Sequence, residues 1–239
     1  MKLSILINFY DKDHIHIPNM LNHLSKLSFN KEVIFIDDRN DKSMDIRNEY
    51  NIPNEYKIIP SYKDNSNVGT FEARRTGVLN ATGEYVWFVD IDDEIYDFKP
   101  TFDGSDVICY NFKMNDKEIK RFYEKRYFTC KSYKNYKYVY RYLLYGSLWR
   151  NIYLRSTLLK VYSQIPTHKH LFYYEDMFLN GYVLNILKRI TCDTQCIYNY
   201  NMTYNYYWKE NEDKVNYMIE NSTGIAKQIL LECKKNSFK

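Results

Sequence analysis

The chain has 239 residues, 45% of them apolar and 27% charged, with a formal net charge of +4. That length supports one substantial core or two closely joined halves, and the composition excludes disordered and collagen-like classes. No apolar run reaches the roughly 18 residues of a membrane span, and five scattered cysteines, an odd number, argue against a disulfide framework and for reduced thiols in a cytosol.

Leu3–Phe9 is a continuous apolar run of strand length, too short and without the cleavage signal of a secretory leader. Pro18 then suits a first helical turn, and Met20, Leu21, Leu24 and Leu27 recur at helical spacing. Glu32–Ile36 predicts a second buried strand ending in Asp37-Asp38. A short helix around Ser43–Tyr50 and a third strand at Tyr56–Pro60 follow. Asn67-Val68-Gly69 precedes a helix over Thr70–Ala81, and Thr82-Gly83 turns the chain into an apolar strand, Tyr85–Val89. Strand and helix alternating at this interval predict an α/β fold, a mostly parallel sheet with helices on its faces. Gly69, Gly77 and Gly83 cluster between the third and fourth strands, which suggests close backbone approach.

Beyond residue 96 the pattern is weaker. Strands are expected at Asp106–Met114, Arg121–Cys130, Leu148–Leu154 and Cys196–Met202. Helices are expected at Tyr136–Leu144 and Glu175–Lys188, and an amphipathic one from Asn211 to about Lys235.

In a parallel sheet the ligand lies outside the carboxyl ends of the strands. Here those ends carry Asn8, then Asp37-Asp38, then Asp90-Ile91-Asp92-Asp93-Glu94. Carboxylates packed so closely repel one another, and a hard divalent cation such as Mg²⁺ or Mn²⁺ relieves the conflict while keeping positions open for phosphate oxygens. A solvated acidic loop is the plainer alternative for a bare Asp-x-Asp. No Walker loop and no Gly-x-Gly-x-x-Gly follows the first strand, so ordinary P-loop and dinucleotide sites are excluded. Cys192 and Cys196 lack a second pair to complete a zinc site.

Between residues 117 and 160 twelve Lys or Arg face two Glu, so this segment is +10 and the remainder −6. Nine tyrosines are interleaved there. Basic groups among aromatics suit a phosphate-bearing partner, a lipid head group at a membrane surface or a nucleic acid; a solvated face with tyrosines packed inward is the alternative.

The first 96 residues resemble the inverting family 2 glycosyltransferases of the GT-A fold. The resemblance is carried by Ser4–Tyr10, Val33–Asp38, Asn67-Val68-Gly69 with Ala73–Gly77, Ala81–Tyr85 and Phe88–Asp93, in the family's order. Ser147–Tyr153 and Glu175-Asp176 agree more loosely. The resemblance implies one GT-A domain, with residues 1–96 as the nucleotide-sugar half and 97–239 as a smaller acceptor half. It implies a nucleotide-diphosphate donor, most often uridine, with Asn8 lining the base pocket and Asp38 accepting from the base. Arg74 would face the diphosphate. Asp90 and Asp92 would hold Mn²⁺ or Mg²⁺, with Asp93 behind them or touching the sugar. Asp176 would be the base that deprotonates the acceptor hydroxyl, with Glu175 as alternate. The acceptor would be a glycan or lipid-linked glycan, handled in the cytoplasm or at the inner face of the membrane. Of the residues near the acceptor half, His168 and His170 could line the acceptor side, a surface histidine pair being the commoner case, and Trp149 and Trp208 could offer faces for sugar stacking, although aromatics more often pack in the core. The chain departs from the family where Arg39-Asn40 replaces Gly-Ser and where Arg75 replaces Asn. Those two extra cations near a phosphate site would tighten diphosphate binding or alter base preference. A silent nucleotide-sugar binder, a transferase acting on nucleic acid and a phosphohydrolase remain as competing readings.

Overall fold

The computed structural model describes residues 1–41, 43–61, 67–129, 148–167 and 175–201, together with 139, 219, 220, 227 and 231. The first half alternates as expected. β1 (Leu3–Phe9), α1 (Ile17–Ser25), β2 (Lys31–Asp37), α2 (Ile46–Glu49), β3 (Lys57–Pro60), α3 (Thr70–Asn80) and β4 (Tyr85–Asp90) follow in order. A 3-10 turn, Asp11–His16, leads into α1 and was not foreseen. β3, β2, β1 and β4 lie side by side and all parallel.

Alternation along the strands divides the core into two. On β1 and β4, Ile5, Ile7, Phe9, Trp87 and Val89 pack on the face carrying α1. Leu6, Val86 and Phe88 pack on the face carrying α3. Two glycines allow the close approach. A Cβ on Gly83 would stand 2.7 Å from the Ser4 nitrogen and 2.8 Å from the Lys2 carbonyl oxygen, and one on Gly77 would meet Ile36 and Leu6 at 3.0 Å.

The same sheet continues into the second half through β5 (Glu94–Ile95), β6 (Val107–Met114), β7 (Lys117–Ile119), β8 (Arg126–Thr129), β9 (Asn151–Leu154) and β10 (Arg189–Tyr200). β9 pairs antiparallel with both β4 and β6, and β10 runs parallel to β6. β6 and β10 therefore point the same way as β4, and their carboxyl ends share its rim. α4 (Arg155–Tyr162) and α5 (Glu175–Ile186) add Leu158, Val161, Phe178, Leu179 and Val183 to the α3-side core.

Several second-half expectations are corrected. Leu148–Arg150 is a 3-10 turn, so the strand there starts at Asn151. The expected Arg121–Cys130 strand forms only at Arg126–Thr129, and α4 was not anticipated. The last strand begins at Arg189 rather than Cys196, with irregular register against β6 between Cys192 and Asn199. The helices expected at Tyr136–Leu144 and from Asn211 to Lys235 lie outside the described residues, apart from isolated positions. Among the described residues no helix is long and apolar enough to cross a membrane.

Candidate active site

Asn8 and Asp90 are register partners on β1 and β4, and Phe9 pairs with Asp37 on β2, so the three polar strand ends do meet at one rim. Asp38 lies at this rim with three protein donors on its carboxylate. It accepts from the Val68 N–H at 2.9 Å, the Gly69 N–H at 3.0 Å and the Ser61 hydroxyl. Gly69 adopts φ +85° as it opens α3, a conformation glycine takes without strain. Asp38 therefore ties Ser61, just after β3, and the entry to α3 to the end of β2, and it is only 3% exposed.

Arg39 does not reach outward as an extra phosphate ligand. Its guanidinium forks onto Asp37, Nε to Oδ1 at 3.0 Å and Nη2 to Oδ2 at 2.9 Å, and is buried. Arg75 likewise turns to its own protein. It donates to the carbonyls of Ile165 at 2.9 Å and Pro166 at 3.1 Å and lies over the Phe71 and Tyr162 rings. The expected gain in cationic charge at the site is thus absorbed by internal partners. Asn40, the other departure, links the loops instead: its side chain donates to the Tyr10 hydroxyl at 3.0 Å and accepts from the Asn67 N–H at 3.3 Å.

Asp90, Asp92 and Asp93 differ sharply in surroundings. Asp93 is buried, accepting from the Tyr198 hydroxyl at 2.8 Å and the Asn201 N–H at 2.7 Å. Burial and the neighbouring Asp90 charge push its carboxyl well above the ordinary range. Asp92 opens to solvent, yet the protein around it and the charge of Asp90 raise its carboxyl too. Asp13 and His16, on the turn after β1, lie near enough for Asp92 to feel their charge. Nothing in the sequence marked these two.

Arg74 is the hinge of the arrangement. Buried at 5% exposure, it donates from Nη2 to Asp90 Oδ1 and from Nη1 to Glu175 Oε1, both at 2.7 Å. One guanidinium thereby joins the acidic rim to the first turn of α5. Burial raises both the Glu175 and Asp176 carboxyls, with Arg74 opposing the rise and mutual repulsion adding to it for Glu175. The start of a helix favours anions there whatever their further role.

Among the described residues no group of three His, Cys, Asp or Glu could hold a metal ion unaided. The exposed Asp92 and the partly exposed Asp90 offer only hard oxygen donors, the set that suits Mg²⁺ or Mn²⁺ when phosphate oxygens complete the shell. Trp149 is not a sugar platform: it is 4% exposed and stacks with Tyr198 at 4.6 Å and with Tyr200 at 5.2 Å. His168, His170 and Trp208 lie outside the described residues. So does much of the basic segment 117–160. Within its described part, Lys120 pairs with Glu118, Lys125 with Asp193 and Arg126 with Glu124, which reduces its net pull on an anionic partner.

A family model described as Glycosyl transferase family 2 matches residues 4–162. The cholesterol galactosyltransferase of Borreliella burgdorferi is 29% identical over 119 residues, which cover 46% of this chain and 32% of that protein. The poly(ribitol-phosphate) beta-glucosyltransferase of Bacillus spizizenii is 34% identical over 126 residues, 50% of this chain and 18% of that protein. The chain thus spans less than a third of the length of these relatives. Among solved structures, Staphylococcus aureus TarS 1-349 in complex with UDP-GlcNAc superposes with a TM-score of 0.68 at 20% identity, covering 99% of this chain and 72% of that one. The same fragment in complex with UDP gives 0.66 at 24% identity, with coverage of 97% and 70%. The fold is GT-A.

Proposed function

Because the chain belongs to glycosyl transferase family 2, we propose that it moves a sugar, with inversion, from a uridine-diphosphate donor to a hydroxyl of a glycan or glycolipid acceptor. The observation that carries this reading is the meeting of two carboxylate sets across Arg74. Asp90 and Asp92 stand on the strand-end rim, and Glu175 and Asp176 open the facing helix. A displacement at a sugar carbon needs such an arrangement, with charge control on the leaving side and a base on the other.

Asp92 and Asp90 would hold Mn²⁺ or Mg²⁺ against the donor diphosphate. Bound there, the cation supplies Lewis-acid neutralisation of the departing charge. Arg74 sits beside the same carboxylates and adds a fixed positive charge. Asn8 lines the rim at the strand end where the base would lie. Asp38 supports that pocket by holding Ser61, Val68 and Gly69, which take up three of the positions its carboxylate offers to a donor. Asp176 takes the proton from the acceptor hydroxyl as its oxygen bonds to the sugar carbon and the bond to the diphosphate breaks. What favours Asp176 over Glu175 as base is that Glu175 already pairs with Arg74. The TarS complexes with UDP and UDP-GlcNAc support a uridine donor. The relatives named for cholesterol and for poly(ribitol-phosphate) support a lipid or polymer acceptor.

A donor screen tests the assignment. Thermal shift is read with Mn²⁺ or Mg²⁺ across a panel of nucleotide sugars. Uridine-diphosphate sugars are expected to raise the Tm of the wild type and not of Asp92→Ala. No metal-dependent shift with any nucleotide sugar would overturn it.

A further inference from the structure

The turn bearing Asp90 and Asp92 is held by the end of β10 and the residue just beyond it. Tyr198, near the end of β10, is fully buried. Its hydroxyl oxygen accepts from the Asp90 N–H at 3.0 Å, and its proton goes to Asp93 Oδ2 at 2.8 Å. A phenol can do both at once, having lone pairs to accept with and one hydrogen to give. Asn201 completes the clasp. Its N–H donates to Asp93 Oδ1 at 2.7 Å, and its side-chain amide donates to the Asp92 carbonyl at 3.1 Å. Inside the turn, the Asp93 N–H reaches the Asp90 carbonyl at 3.2 Å.

The phenol ring cannot drift. It stacks on Trp149 at 4.6 Å and 18°, and meets the edge of Trp87 at 6.2 Å and 67°. Trp87 is anchored in turn, its indole N–H donating to the Trp149 carbonyl at 2.5 Å. The hydroxyl position is therefore set by core packing.

We propose that Tyr198 is a positioning residue that holds the Asp90–Asp93 turn in the shape presenting the Asp90 and Asp92 carboxylates to one divalent cation. The proposal rests on the cation reading above. Like charges on one short turn repel, and a turn left without its clasp relaxes to separate them. Drawing them together again would then cost part of the binding energy of the ion. Partners standing behind metal ligands typically change affinity by about 10- to 100-fold when removed.

The test needs no turnover. Mn²⁺ binding in the presence of UDP is followed by the electron paramagnetic resonance signal of the free ion. Tyr198→Phe keeps the ring and removes the hydroxyl, and it is expected to weaken Mn²⁺ binding by roughly tenfold or more. Tyr110→Phe is the control. That tyrosine is equally buried, and its hydroxyl accepts from the Thr101 N–H at 3.2 Å. It is expected to lower Tm and leave Mn²⁺ affinity alone. Wild-type Mn²⁺ affinity in Tyr198→Phe would overturn the proposal and leave Tyr198 a core residue. If that variant does not fold, Asn201→Ala decides: weaker binding supports the clasp and unchanged binding overturns it. A wild type that binds no Mn²⁺ refutes the cation reading itself, a result distinct from equal binding by wild type and variant.

Discussion

Asp176→Asn keeps the size of the side chain and removes its capacity to take a proton. Transfer is expected to fall by at least about 100-fold while donor-induced thermal shift persists, a split that a silent sugar-nucleotide binder would not show. Glu175→Gln should behave differently, because Glu175 neutralises Arg74 at 2.7 Å; its loss is expected to cost stability as well as rate. The pH profile separates the two further. A base must be ionised to work, and burial raises the Asp176 carboxyl. Activity should therefore rise with pH along an acid limb lying above the ordinary aspartate range, and Asp176→Asn should lack that limb. At this scale the candidate ligands were legible because they stand on strand ends. Tyr198 was not, since a tyrosine inside an apolar strand carries no mark of where its hydroxyl ends up.

Among the elements, β2 is fastened to β1, β3 and the α3–β4 turn by one side chain. Glu32 accepts from Ser4 Oγ and Lys57 Nζ at 2.6 Å each, and from the Thr82 N–H at 2.8 Å and hydroxyl at 2.9 Å. These donors, though opposed by burial, lower its carboxyl from 4.5 to about 2. A carboxylate depressed in the folded state stabilises fully above its unfolded value and ceases to do so as pH falls through the folded one. Denaturant unfolding should thus show Glu32→Gln less stable by about 1–3 kcal/mol near neutrality, with the gap to wild type closing toward about pH 2. β1, β2, α3 and β4 could be read from sequence because apolar runs and turn residues coincide there. β10 was read short because Asp193, Thr194 and Gln195 interrupt its apolar pattern just where its register against β6 slips. α4 was missed because Arg155-Ser156-Thr157 opens it without a conventional cap.

Across the whole molecule, the two halves share one sheet, and Arg74 is a further link between them, spanning 16 residues to Asp90 and 101 to Glu175. Arg74→Met leaves both carboxylates without their cation. Removing one partner of a buried pair costs about 3–5 kcal/mol, and the 30% exposure of the Asp90 side chain brings the expectation to roughly 2–3 kcal/mol. The sign with pH follows from the raised Glu175 carboxyl: without Arg74 it holds its proton more tightly in the folded than in the unfolded chain. The deficit is therefore expected to be largest at neutral pH and to shrink as acid protonates Glu175. Urea midpoints measured across that range check it.

The stacking of Trp149 with both Tyr198 and Tyr200 also gives the protein a built-in optical reporter. Its indole sits one ring away from the clasp on the acidic turn, and its carbonyl anchors Trp87, so a ligand that reshapes the turn changes the surroundings of both fluorophores. Selective tryptophan excitation should then follow occupancy by intensity and emission wavelength, without a label and before any product forms.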